Sequence, residues 1–363
     1  MKLKLLLATL FLSLFHLLAA QQKNKTENVI LITLDGFRWQ EVFNGADSSF
    51  MRQQAYLKDP NIKRKYWRDD RDERRKALLP FFWNTLVTQG QLYGNRTLGS
   101  KVNVTNNQLF SYPGYSEILT GFADNERIHS NDKIYNPNTT VLEYLDNQPA
   151  FKGKVAAFTS WDVFPFIIND KRSGLYVSTG VAEVKGAKLT EAEKMLNKMV
   201  LNLPNPLGDI RLDAFTFYYG LEYLKKNKPR VLYFAFDETD DFAHQGEYAA
   251  YLNSANYTDK FISELWTYLQ SDPKYKNKTT VIITSDHGRG DDAETWKDHG
   301  QGVPIADQIW LAVIGPDTPP LGEIKGDSQL HQNQIASTLG ALLGIEYKNE
   351  KKPGAPISSI VYK

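Results

Sequence analysis

Short apolar runs recur along the chain, and three of them end in an acid. Asn28 to Leu34 (NVILITL) stops at Asp35-Gly36. Pro229 to Phe236 (PRVLYFAF) stops at Asp237, and Thr279 to Thr284 (TTVIIT) stops at Ser285-Asp286-His287-Gly288. Brief runs of this kind, rich in β-branched residues and closed by turn residues, read as strands buried on both faces. Val155 to Phe158 and Ile309 to Ile314 are further strand candidates. Leu189 to Val200, Leu212 to Lys226 and Tyr248 to Gln270 carry helical periodicity. Strands alternating with helices predict an α/β fold, with a mostly parallel central sheet, helices on both faces and a small inserted cap. Ligands of such sheets gather beyond the carboxyl ends of the strands. That is where the acids stand.

The N-terminus follows a different pattern. Lys2 and Lys4 precede an apolar run from Leu5 to Leu18, then Ala19, Ala20 and two glutamines. This reads as a secretion signal over 1–21, leaving 22–363 as one domain. The run is short for a membrane span, and no later stretch of about 18 apolar residues follows. The chain has 0 cysteines, which excludes disulfides, thiolate zinc sites and a thiol nucleophile. An exported protein of this size without cysteine reads as bacterial, periplasmic or secreted. Asn-x-Ser/Thr triplets such as Asn24 and Asn95 are accounted for by chance in a chain rich in Asn and Thr. The charge-dense run from Arg52 to Lys76 reads as a solvated helix or loop. The segments 47–80 and 161–180 are expected to shape the pocket.

Charge narrows the partners. Lys and Arg number 43 against 42 Asp and Glu, and 42% of residues are hydrophobic. That balance excludes a nucleic-acid binder working through bulk positive charge, and an acidic disordered segment. The sequence is silent on oligomeric state.

The chemistry lies in acids paired with histidines. Asp35 follows the first strand. Asp240 and His244, at i and i+4 after the Phe236 strand, share one face of a helical turn. Asp286 and His287 end the third strand, and His299 follows in Asp-His-Gly. Acids and imidazoles at three strand ends suit two borderline divalent ions, zinc by ligand type. Asn107 to Gly121 (NQLFSYPGYSEILTG) leads into a helix whose N-terminus carries Ser111. Free backbone N–H groups there favour an anion, and a nearby metal can make a serine hydroxyl a nucleophile.

These motifs resemble the alkaline phosphatase superfamily, and within it the type I phosphodiesterase/nucleotide pyrophosphatase branch. LDGFRW at 34–39 resembles the opening metal motif and FSYPGYSEILTG at 110–121 the nucleophile segment. Asp240-x-x-x-His244, SDHG at 285–288 and Asp-His-Gly at 298–300 follow in the family's order. The resemblance implies an alkaline phosphatase-like catalytic domain and a small phosphorylated substrate, monoester or diester. It implies that Asp35, Ser111, Asp286 and His287 hold one ion and Asp240, His244 and His299 the other. Ser111 would form a covalent phosphoserine. The family's phosphate-holding asparagine falls at Asp132 by offset, with Asn131 one residue earlier. Asn131 is the expected substrate contact and Asp132 a surface loop. Lys171 and Arg172 lie where some monoesterases carry a Lys-x-Arg pair, and are candidates for gripping phosphate.

Two other readings compete. Sulfatases of this fold need Cys or Ser in a C/S-x-P-x-R context, and here Ser111-Tyr-Pro-Gly is followed by Tyr115. A catalytically inactive binding protein would have lost a ligand or the nucleophile, and all seven are present.

Overall fold

The protein, seen in a computed structural model, is described over residues 24–361. The signal assigned to 1–21 lies outside the described residues. β1 (Asn28–Leu34) and β4 (Val155–Thr159) fall where the apolar runs predict, and β2 (Gly90–Tyr93), β3 (Ser100–Asn103) and β5 (Tyr176–Thr179) form without such a run. There follow β6 (Val231–Phe236), β7 (Thr279–Thr284), β8 (Gln308–Ile309), β9 (Leu311–Ile314), β10 (Gly322–Glu323) and β11 (Ser328–His331).

Eight strands form one sheet in the order β10-β2-β9-β7-β1-β6-β4-β5. β7, β1, β6, β4 and β5 run parallel, and β9 lies antiparallel to its neighbours β7 and β2. The predicted strand Ile309 to Ile314 is split. Its first residue belongs to β8 in a second, three-stranded sheet, Trp310 belongs to neither strand, and Leu311–Ile314 is β9.

Alternation along the central strands buries both faces. Ile30, Ile32, Leu34, Leu232, Phe234 and Phe236 pack on one side. Helices Asp213–Asn227 and Tyr248–Ser271 cover that side. Val29, Leu31, Val231, Tyr233 and Ala235 pack on the other, under helices Ser111–Thr120, Val141–Asp146 and Ile335–Leu342. The helix predicted over Leu189 to Val200 spans Glu191–Asn202, opened by a Thr190/Glu193 capping box.

The charged run is only half solvated. Lys63, Arg64 and Lys65 are exposed on helix Ile62–Tyr66, whereas Ile62 and Tyr66 are buried in the core. Arg75 lies 3.5 Å over the Trp83 ring and pairs with Glu323. Residues 161–180 include helix Phe164–Ile168 and the edge strand β5 of the central sheet.

Candidate active site

Register fixes which strand ends meet. Leu34 pairs with Phe236 and Thr33 with Thr284, so the residues after β1, β6 and β7 emerge side by side. Asp35, Asp286 and His287 are buried there. His287 Nε2 lies 3.2 Å from Asp35 Oδ1, 3.4 Å from Asp286 Oδ2 and 3.8 Å from Asp240 Oδ1. After β6 the chain enters helix Glu238–His244, and Asp213 accepts from the Asp237 and Glu238 N–H groups at its start. This helix brings Asp240 Oδ2 to 3.1 Å from His244 Nε2. His244 and His299 approach through their Nε2 atoms at 3.0 Å. Two groups of residues can thus hold a divalent ion, one of Asp35, Asp286 and His287 and one of Asp240, His287 and His299, so His287 stands between them.

The first group fits an ion closely. Asp35 Oδ1 and Asp286 Oδ2 are buried without any hydrogen-bond partner. Two such oxygens cost several kcal/mol unless a cation or proton meets them. Ligands about 2.0–2.1 Å from a tetrahedral centre lie roughly 3.4 Å apart, close to the spacings seen here. Burial, then the charge of Asp240, pushes the Asp35 carboxyl well above its ordinary value. Burial, then Asp35, does the same to Asp286. Asp240 goes the other way: burial raises it, but Arg289, His299 and His244 together outweigh that and hold it well below the carboxylate range.

Ser111 stands at the first position of helix Ser111–Thr120, with Phe110 as the N-cap. It does not cap the helix. Its buried Oγ lies 3.4 Å from His287 Nε2. Several features hold it there. Gly114 packs so tightly that a Cβ would lie 2.5 Å from Asp286 O, so only glycine permits this approach. Buried Glu117 accepts from the N–H groups of Thr105 and Asn106, clamping the incoming loop. Leu109 adopts φ 56°, a strained left-handed conformation, and its carbonyl lies 3.2 Å from His299 Nδ1.

The candidate phosphate contacts divide. Asn131 stands at the helix N-terminus, its Oδ1 accepting the Tyr112 N–H at 2.9 Å. Asp132 is exposed. Arg172 cannot grip phosphate. Its five N–H groups are engaged by Glu143 and by the carbonyls of Asn136, Pro137 and Asn138. Lys171 rests with Nζ 4.6 Å from the Tyr135 ring centroid instead.

Sequence reasoning missed Tyr115, which donates to Asp35 Oδ2 at 2.8 Å. Burial and the charges of Asp286 and Asp35 push its phenol well up, so it stays a donor. It also missed Arg289, which meets Asp240, and Gln332, which donates to Asp286 O at 2.6 Å. Asp237 and Asp241 crowd the same space. Tyr115 sits inside the nucleophile motif and Arg289 directly follows SDHG, but nothing in spacing says where such side chains turn.

The model of the Type I phosphodiesterase / nucleotide pyrophosphatase family matches residues 50–300, a span that holds Ser111, both later acid–histidine pairs and His299. The chain belongs to this family. Solved structures agree in fold. The wild-type alkaline phosphatase PafA superposes with a TM-score of 0.59 at 12% identity, over 93% of this chain and 99% of that one. The lipoteichoic acid synthase LtaP from Listeria monocytogenes gives 0.55 at 14% identity, over 88% and 72%. Murine ectonucleotide pyrophosphatase/phosphodiesterase 5 gives 0.52 at 14%, over 88% and 95%. No curated protein matches. Family membership and these likenesses give the chain the phosphoesterase/pyrophosphatase-like fold of the alkaline phosphatase superfamily. Among the described residues no helix is long and apolar enough to cross a membrane.

Proposed function

We propose that this family member is an exported two-metal phosphoric ester hydrolase with Ser111 as nucleophile and a phosphodiester as preferred substrate. One observation carries the reading. The Ser111 hydroxyl sits 3.4 Å from His287 Nε2, beside a pair of buried carboxylate oxygens that have no hydrogen-bond partner. Asp35, Asp286, His287 and Ser111 would hold one ion, and Asp240, His244 and His299 the other. The nitrogen and oxygen donors suit zinc. Two bound cations would lower the serine pKa and meet the charge on the entering and leaving oxygens.

Ser111 releases its proton to solvent water and its Oγ attacks phosphorus in line. The Oγ–P bond forms as the bond to the leaving oxygen breaks, and that oxygen departs with a proton from water. Water then displaces Oγ, releasing the phosphate product and restoring the serine. Asn131 would donate its amide N–H to a phosphate oxygen.

The preference for a diester rests on cations. A monoester dianion gains from a second positive group. Arg172 is fully engaged, Lys171 lies over Tyr135, and Lys133 pairs with Asp162 at 2.6 Å. A sulfatase is not favoured, because Tyr115 stands where that context carries arginine. The test is kcat/KM of zinc-loaded protein on bis(p-nitrophenyl) phosphate and p-nitrophenyl phosphate side by side. The diester is expected to win by about tenfold or more, the worth of one contact to a charged group. A clear monoester preference overturns the diester reading.

Export rests on the signal read over 1–21. An N-terminal mass that begins after that segment, in protein recovered outside the cytoplasm, is the expected result.

A further inference from the structure

The two groups of ion ligands differ in one respect. In the first, Asp35 Oδ1 and Asp286 Oδ2 have no partner. In the second, Oδ1 of Asp240 is already met by a permanent cation, the Arg289 guanidinium. Arg289 is 1% exposed. Its Nε donates to the Trp296 carbonyl at 2.9 Å and its Nη2 to the Lys297 carbonyl. Trp296 is itself fully buried, so the fork cannot swing away. The loop that delivers His299 therefore also delivers a fixed positive charge to the carboxylate that His299 joins.

We propose that Arg289 is a built-in counter-charge that makes the two ion sites unequal. The ion at Asp35, Asp286 and His287 binds tightly, and the ion at Asp240, His244 and His299 binds loosely and exchanges. The physical reason is direct. A permanent cation on Asp240 halves the demand of that carboxylate for another, and it repels a divalent ion across a few ångströms of low-dielectric interior. Among the described residues no lysine or arginine pairs with Asp35 or Asp286, and the Arg289 charge reaches Asp35 only from beyond pairing distance. The inference rests on the two-ion reading above and adds the order in which the ions load and leave.

The test is zinc titration of chelator-stripped protein against a competing chromophoric chelator. Wild type, Arg289→Lys and Arg289→Met are compared, each checked for folding by circular dichroism. Wild type is expected to bind two ions with dissociation constants at least about tenfold apart, the scale on which neighbours of metal ligands act. In Arg289→Met the weaker constant tightens by about tenfold or more while the stronger is unchanged. Arg289→Lys, which keeps the charge and loses the fork, retains the inequality. Two equal constants in wild type overturn the proposal, and so does a loose site unchanged or weakened in Arg289→Met. A lysine variant that behaves like the methionine one assigns the effect to geometry and also overturns it. Should Arg289→Met fail to fold, the wild-type constants and the lysine variant decide. A wild type that binds no zinc is a different result: it sinks the two-ion reading itself.

Discussion

Tyr115 donates its phenol to Asp35 Oδ2 at 2.8 Å, while Oδ1 of the same carboxylate is buried with no hydrogen-bond partner. The helix that carries Ser111 thus also orients the acid at the end of β1, four residues further along. One oxygen of Asp35 is fixed by the protein and the other is left for a cation. Partners of this kind govern how well a ligand meets its ion.

Tyr115→Phe is therefore expected to weaken zinc binding at Asp35 by about 10–100-fold. It should also cost about 1–3 kcal/mol of stability, since a buried carboxylate oxygen loses its only donor. Chelator-competition titration and denaturant melts measure the two effects. Unchanged zinc affinity would show that the Tyr115–Asp35 bond is structural alone.

The acids at the site set a pH dependence. Asp35 and Asp286 are raised well above their ordinary values, chiefly by burial. Between the unfolded and folded values, the fold holds protons that the unfolded chain has released. Their contribution to stability is complete below the unfolded carboxylate range, near pH ~4, and is lost as pH rises through the raised folded values. Ion-free protein is expected to melt lower at about pH 8 than at about pH 5. Zinc needs ionised ligands, so its uptake releases protons and its stabilising effect grows with pH. Melting curves of stripped and zinc-loaded protein across this range test both statements. A stripped protein that grows steadily more stable toward pH 8 contradicts them.

Arg172 and Lys171 separate structure from catalysis. Arg172 pins Glu143 and three carbonyls of the 136–138 turn. Arg172→Ala is expected to lower the denaturant midpoint by a stability loss of about 1–3 kcal/mol. The folded variant should keep its KM for the diester. Lys171→Ala should change neither. A large rise in KM with unchanged stability for either variant would return it to the phosphate site.

The sheet was legible because its central strands are buried on both faces, which leaves an unbroken apolar run such as NVILITL. β2 and β5 were not, because they are four residues each and carry mixed polarity, as in Tyr176–Thr179. Ile309 to Ile314 reads as one strand, yet it serves two sheets, a bend no periodicity records. The acid–histidine pairs were legible because ligands stand next to strand ends in sequence. Arg172 was misjudged for a related reason. Charge in a turn marks availability, and only the fold shows that Glu143 and three carbonyls consume it. Arg289 and Tyr115 act through side-chain direction, which spacing does not carry.

The central claim is that Ser111 is the nucleophile of a two-ion site. The most direct measurement is kcat/KM of wild type and Ser111→Ala on bis(p-nitrophenyl) phosphate, with zinc content determined on the same samples. The predicted result is a loss of turnover to near background, a drop of several orders of magnitude as when an attacking serine is removed from its unit, with zinc still bound to the variant. Substantial turnover by zinc-loaded Ser111→Ala would contradict the covalent mechanism.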